Sequence, residues 1–277
     1  MVSWLAVSFM IMDMILGIFV PAGLLLYFKK KYRLSSFPFC IGCLTMVLFA
    51  MVLEQAVHFL VLQSAAGVII RGSAALTALY GGLMAGVFEE CGRFTAMKFV
   101  LKKKQDDPHN ALMYGAGHGG VEMFILLVFG MINNVIYSVM LNMGKAETLL
   151  APLDPVRRNT LQQAFNTLEE TSPFMFLVSP AERIFAITGQ VALSVIVWFA
   201  VVKKRKGYLL LIAVFLHFIL DASAVWIAKT GVPVFAVELE ILLVVLLTVL
   251  FAKAVWKREN AAGQPIENLE KNSGEGI

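Results

Sequence analysis

The chain has 277 residues, 59% hydrophobic and only 15% charged, with a mean hydropathy of +0.78, well short of the roughly 25% charge of a soluble domain. Its net charge of +4 sits in short basic clusters, not in a stripe interleaved with aromatics, which argues against nucleic acid as a partner. Three cysteines are too few for a disulfide framework, and Cys40-x-x-Cys43 has no second pair to complete a zinc site, so both read as ordinary small helix residues.

In chain order, apolar runs of the roughly 20 residues needed to cross hydrocarbon predict seven spans: about Ser3 to Phe28, Phe37 to Leu62, Gly72 to Lys102, Ala111 to Leu141, Pro180 to Val202, Gly207 to Ala228 and Pro233 to Trp256. The start, MVSWLAVSF, has no positive n-region and its apolar stretch is too long for a cleavable signal, so it reads as a retained first span. The connections after spans 1, 3 and 5 carry KKKYR, KKKQ and KKRK, and Lys257-Arg258 follows span 7. The positive-inside rule places these cytoplasmic and the N-terminus outside. Trp4, Trp198, Trp226 and Trp256 fall near span ends, as an interfacial belt would.

The expected fold is therefore all-α: a polytopic transmembrane bundle in one domain, 1–258, with a polar, disordered cytoplasmic tail over 259–277. Between spans 4 and 5, the segment 144–179 is extracytoplasmic. Within it Leu161, Ala164, Phe165 and Leu168 recur at helical spacing behind an Asp154 cap and Pro155. That makes an amphipathic helix on the outer surface.

Several ionisable residues lie where lipid should exclude them, at a cost of at least about 2.5–3.5 kcal/mol each. Span 3 holds Glu89, Glu90 and Arg93; span 4 holds His118 and Glu122; span 6 holds His217 and Asp221. Glu89 with Arg93, His118 with Glu122, and His217 with Asp221 are each i, i+4 and share a helical face. At 1.5 Å per residue, Glu89, His118 and His217 lie roughly 11–18 Å from the basic ends of their spans, in one layer. Gly115, Gly117, Gly119 and Gly120 flank His118 and allow close helix approach. Any one of these residues alone reads as readily as helix–helix glue, but a depth-matched set on three helices favours chemistry. Glu54, Glu182 and Glu238 fall nearer the outer ends, where a structural reading is favoured. His58 and His109 read as solvated, and Asp13 has no evident partner.

A carboxylate beside an imidazole can hold and deprotonate a water, and a second imidazole can donate to a developing oxyanion. This suits amide hydrolysis. Neither G-x-S-x-G nor H-E-x-x-H accompanies the set. Zinc held by His118, Glu122, His217 and Asp221, with water in an open position, is the alternative. A proton-coupled transporter would use the same residues as a relay, although no inverted repeat is evident; a non-catalytic scaffold or immunity protein would need none of them.

Three motifs carry a family resemblance: Glu89-Glu90-Cys91-Gly92-Arg93, Tyr114 to His118, and His217 to Asp221. In this order they resemble the EExxxR, (Phe/Tyr)xxxH and Hxxx(Asn/Asp) motifs of the CAAX-protease and bacteriocin-processing superfamily of intramembrane proteases, and most closely its bacterial YhfC-type branch. The resemblance implies a plasma-membrane endopeptidase without a required cofactor, acting on a membrane-embedded or membrane-proximal protein or peptide. Carried over, Glu89 is the general base and His118 positions the water. His217 and Asp221 stabilise the oxyanion, while Arg93 and Glu90 support the acidic pair. The chain departs from the pattern: its first motif is one residue short, Tyr114 stands for the commoner Phe, Asp221 for Asn, and Glu122 is an added acid. An ionised Asp accepts but does not donate, so Asp221 would act on an oxyanion only through His217.

Overall fold

A computed structural model describes residues 1–261, and every regular element among them is a helix. The long rods are α1 (Trp4–Lys31), α2 (Phe37–Leu62) and, after the short α3 (Ala65–Arg71), α4 (Ala74–Val100). Then come α5 (His109–Asn142), the extramembrane α6 (Ala146–Leu150) and α7 (Pro155–Glu170), and finally α8 (Val178–Val202), α9 (Tyr208–Lys229) and α10 (Val234–Ala261). Six helices are long and apolar enough to cross a membrane. The pair α3–α4, bent by 112° at its break, makes up to seven among the described residues when it is counted as one span. The chain is thus a multi-pass membrane protein. The expected tail, from residue 262 onward, lies outside the described residues; α10 itself continues through Ala261.

Local chemistry sets the helix ends. The Ser3, Ser64 and Ser73 hydroxyls accept from the N–H groups of Leu5, Gly67 and Leu76, each satisfying an otherwise orphan donor. Asp154 accepts from the Val156 and Arg157 N–H groups at 3.0 Å, and Pro155 opens α7. Lys29, Lys30 and Lys31 close α1, where cations oppose the negative end of the helix dipole. The Asn142 amide at the end of α5 exchanges two hydrogen bonds with the Val2 backbone, which ties the first helix to the fourth rod.

The most enclosed helix is α8, with 67% of its apolar stretch buried against 17–33% for the other five apolar rods. This overturns one expectation. Trp198 is not in a lipid-facing belt but fully buried, because the end of the helix carrying it, residues 192–200, is enclosed by its neighbours; Trp4 and Trp226 are exposed. Trp198 packs with Met97, Leu101, Tyr114, Leu209 and Ala213 in a dense core at the end of the bundle that bears the basic clusters.

Glycines set the spacing around α5. A methyl group on Gly115 would come within 2.7 Å of Val191 Cα on α8, and on Gly117 within 2.0 Å of the Phe39 carbonyl on α2. Across the same contact, a methyl on Gly42 would meet the Tyr114 carbonyl at 2.2 Å. Backbones this close leave no room for a side chain, and they bring three helices to within one residue layer of His118. Gly42→Ala should therefore destabilise the detergent-solubilised protein by about 1–3 kcal/mol through overpacking, read as a lower thermal unfolding midpoint. Gly23→Ala, with nothing within 4 Å, should leave it unchanged.

Candidate active site

The carboxylates of α4 divide between two histidines. Glu89 Oε2 accepts from His118 Nε2 of α5 at 2.8 Å, and Glu90 Oε1 accepts from His217 Nδ1 of α9 at 2.8 Å. Arg93 does not pair with Glu89, as shared i, i+4 spacing had suggested, but lies with Nε 3.1 Å from Glu90 Oε2. The reason is rotational: Glu89 and Glu90 diverge by about 100° around the helix, and Glu89 is drawn toward α5 while Glu90 stays on the face shared with Arg93.

Arg93 is wholly buried and is satisfied from α8. Its Nη1 donates to the Gln190 carbonyl at 2.7 Å and to Ser194 Oγ at 2.5 Å, and its Nη2 to Gln190 Oε1. The Gln190 amide then spends its two N–H bonds on two acids: Glu89 Oε2 at 3.1 Å and Glu122 Oε2 at 3.2 Å. Glu122 is also held by Arg183 Nη1 at 2.8 Å, and Arg183 donates to Glu182 as well. One polar chain therefore runs His118–Glu89–Gln190–Arg93–Glu90–His217, hydrogen-bonded throughout except at Arg93–Glu90, which is an ion-pair contact, with Glu122 and Arg183 attached.

A cavity of about 100 Å³, room for about three waters, lies against this chain and is lined by Glu89, Glu122, Arg183, Gln190, His217 and Asp221, among others. With Nδ1 committed to Glu90, His217 presents Nε2 to the cavity, 3.9 Å from Glu89 Oε1 and 3.6 Å from Asp221 Oδ2. Both gaps exceed a direct hydrogen bond, and a water bonded to either pair would sit to one side of the line between the atoms, in the cavity. Glu89 Oε1 takes no hydrogen bond among the described residues, so its lone pairs face the open space. His118 stands on the other carboxylate oxygen, away from that gap. Tyr114 is fully buried with its ring centroid 6.1 Å from His118, and its hydroxyl has no partner among the described residues.

The proposed zinc ligands do not form a set as arranged. Zinc bonds of about 2.0–2.2 Å place ligand atoms roughly 3.3 Å apart around one point. His118 Nε2 and Glu122 are instead turned to Glu89 and to Arg183 and Gln190, and no three His, Cys, Asp or Glu side chains converge on a metal among the described residues.

Residues 16–243 match the family model described as YhfC intramembrane metalloprotease. The chain belongs to this family. It is therefore an intramembrane protease by family, whatever the identity of its catalytic group. A YhfC relative, the "Uncharacterized membrane protein YhfC" of Bacillus subtilis (strain 168), is 35% identical over 251 residues, covering 87% of this chain and 92% of that one. No solved structure matches. The match spans α4, α5, α8 and α9, so all the polar residues described above fall inside the YhfC region.

Sequence reading missed Gln190, Ser194 and Arg183. Their signal was present: positions 183, 190 and 194 are spaced i, i+7, i+11, a polar stripe on an otherwise apolar helix. Glu182, read as peripheral, sits at the cavity rim, and His58, read as solvated, is bonded to Glu54 at 3.1 Å and Tyr80 at 2.9 Å. Asp13 is fully buried and neither of its oxygens has a partner among the described residues.

Removing the Gln190 amide leaves Arg93, Glu89 and Glu122 each short of a partner. Gln190→Ala should cut peptide cleavage by about 10–100-fold through misplacement of Glu89, and Gln190→Glu, which keeps the shape but loses both donors, should not restore it. Arg93→Met strands the Glu90 charge in the core at a cost of about 3–5 kcal/mol, so folded protein in the membrane fraction should fall sharply.

Proposed function

We propose that the chain hydrolyses peptide bonds within or beside the membrane with a water activated by Glu89. The observation that supports this most is the free Glu89 Oε1 facing His217 Nε2 across 3.9 Å, at the floor of a water-sized cavity. A water in the cavity beside that pair gives a proton to Glu89 and attacks the scissile carbonyl. His118 and Gln190, on the other carboxylate oxygen, fix the direction in which Glu89 points. This refines the role carried over from the family motif: His118 positions the base rather than the water itself.

The developing oxyanion lies within reach of His217 Nε2, which can donate to it only as an imidazolium, since Nδ1–H is already given to Glu90; Asp221 flanks Nε2. Asp221 acts through His217, since an ionised carboxylate accepts hydrogen bonds only. The proton held by Glu89 then passes to the amide nitrogen as the C–N bond breaks. Substrate is a membrane-embedded or membrane-proximal protein or peptide.

The family description, a metalloprotease, favours a second reading: after rearrangement, His118, Glu122, His217 and Asp221 would hold a metal such as zinc, which would supply Lewis-acid activation of the water. For that, His118 must leave Glu89, and Glu122 must leave Arg183.

Purified protein in detergent should cut a membrane-proximal peptide. Glu89→Gln should lower the rate by about 10²–10⁴-fold, the range of a lost general base, with the folded fraction unchanged. Full activity in that variant removes Glu89 from the mechanism. Incubation with a chelator should leave the rate unchanged; loss of activity restored by added zinc establishes the metal reading instead.

A further inference from the structure

The two ends of the bundle differ in a way that bears on which side of the membrane the substrate comes from. At the end carrying the basic clusters, the helices below the catalytic layer close on a solid core. Met97 and Leu101 at the end of α4, Tyr114 in the second turn of α5, Trp198 near the end of α8, and Leu209 and Ala213 at the start of α9 are each fully buried. An apolar groove of about 590 Å³ between α1, α5, α8 and α10 does open at this end, beside Tyr32, His109, Lys253 and Trp256, but neither Glu89, His118 nor His217 lines it, and the packed core separates it from them.

Toward the other end the same helices leave the cavity open. Its lining passes from Glu89, Gln190 and His217 to Glu182 and Arg183 in the first two turns of α8, Ala224 one turn beyond Asp221, and Ile241 in the first half of α10. Side-chain exposure rises along this path: 3% at His217 and 9% at Glu89 on the floor, 32% at Glu182 and 38% at Asp221 on the rim. The rim thus lies on the side away from Lys102–Lys104 and Lys203–Lys206. Positive charge marks the cytoplasmic face of a membrane protein, so the open end is the outer one.

We infer that the Glu89 cavity is entered from the extracytoplasmic face, and that its substrates are membrane or secreted proteins presenting the scissile segment on that side. The site lies nearer the cytoplasmic ends of its helices, yet a cytoplasmic polypeptide cannot reach it. The substrate half of this inference rests on the proteolytic reading; the access half does not.

Cysteine labelling tests access without any need for cleavage. In the full-length chain with Cys40, Cys43 and Cys91 replaced by serine, Ala186→Cys and Ala224→Cys each place one thiol on the cavity wall, and Ala213→Cys places one in the packed end. A membrane-impermeant charged maleimide should label the first two in right-side-out vesicles and lose that labelling in inside-out vesicles. Ala213→Cys should stay unlabelled from both sides until the protein is denatured. Labelling of the wall thiols only from the cytoplasmic side, or from neither side while denatured protein labels fully, overturns the inference. Mapping new protein termini in cells with wild type against Glu89→Gln then tests the substrate class: cuts that depend on Glu89 should lie on extracytoplasmic segments, and cytoplasmic cuts contradict it. Absence of any Glu89-dependent cut would count against the protease reading and leave the labelling result standing.

Discussion

A guanidinium with no exposed surface, in the middle of a membrane bundle, must find every hydrogen bond inside the protein. Arg93 donates hydrogen bonds to α8, at the Gln190 carbonyl, the Gln190 side chain and Ser194, and sets its Nε against Glu90 of its own helix as an ion pair at 3.1 Å. Breaking a buried pair by removing one partner costs about 3–5 kcal/mol because a charge is stranded. That penalty locks α4 against α8 in one register. The position of Glu89, one residue from Glu90, follows from it.

The small residues of α5 answer the same constraint from the other side. Gly115 and Gly119 let α8 approach, Gly117 lets α2 approach, and Gly120 accommodates Pro21 of α1. With no side chains between the backbones, the one large polar group in that stretch, His118, has Glu89 as its only hydrogen-bond partner among the described residues. Helix α9 adds His217, brought against α4 where Gly82 and Gly86 admit the backbone at Ala222 and Val214. The geometry around Glu89 is thus a by-product of where backbones can touch. A packing change two turns away acts on it directly.

Much of this was legible in the sequence, for physical reasons that also mark its limit. The rods stand out because hydrocarbon demands about 20 apolar residues for each crossing, and α2 runs over the expected residues, Phe37–Leu62. Glu89, His118 and His217 stand out because lipid penalises them. What spacing does not encode is which of several partners a side chain takes once helices meet: Arg93 turned to Glu90 and α8 rather than to Glu89. Nor does a tryptophan near a helix end reveal whether that end faces lipid; Trp198 belongs to the enclosed α8 and is buried. Gln190 carries no charge and so raises no alarm in an apolar run, yet it joins Glu89 to Arg93. Asp13, buried without a partner, has no role that the packing explains.

The central claim is that Glu89 and His118 act as one unit in activating water. A double-mutant cycle on peptide cleavage measures this directly, using Glu89→Gln, His118→Ala and the two combined, with folding checked in each. Residues that act as a unit lose activity non-additively, so the double variant should be no slower than the slower single variant. Losses that multiply, or appreciable cleavage remaining in either single variant, would contradict the account.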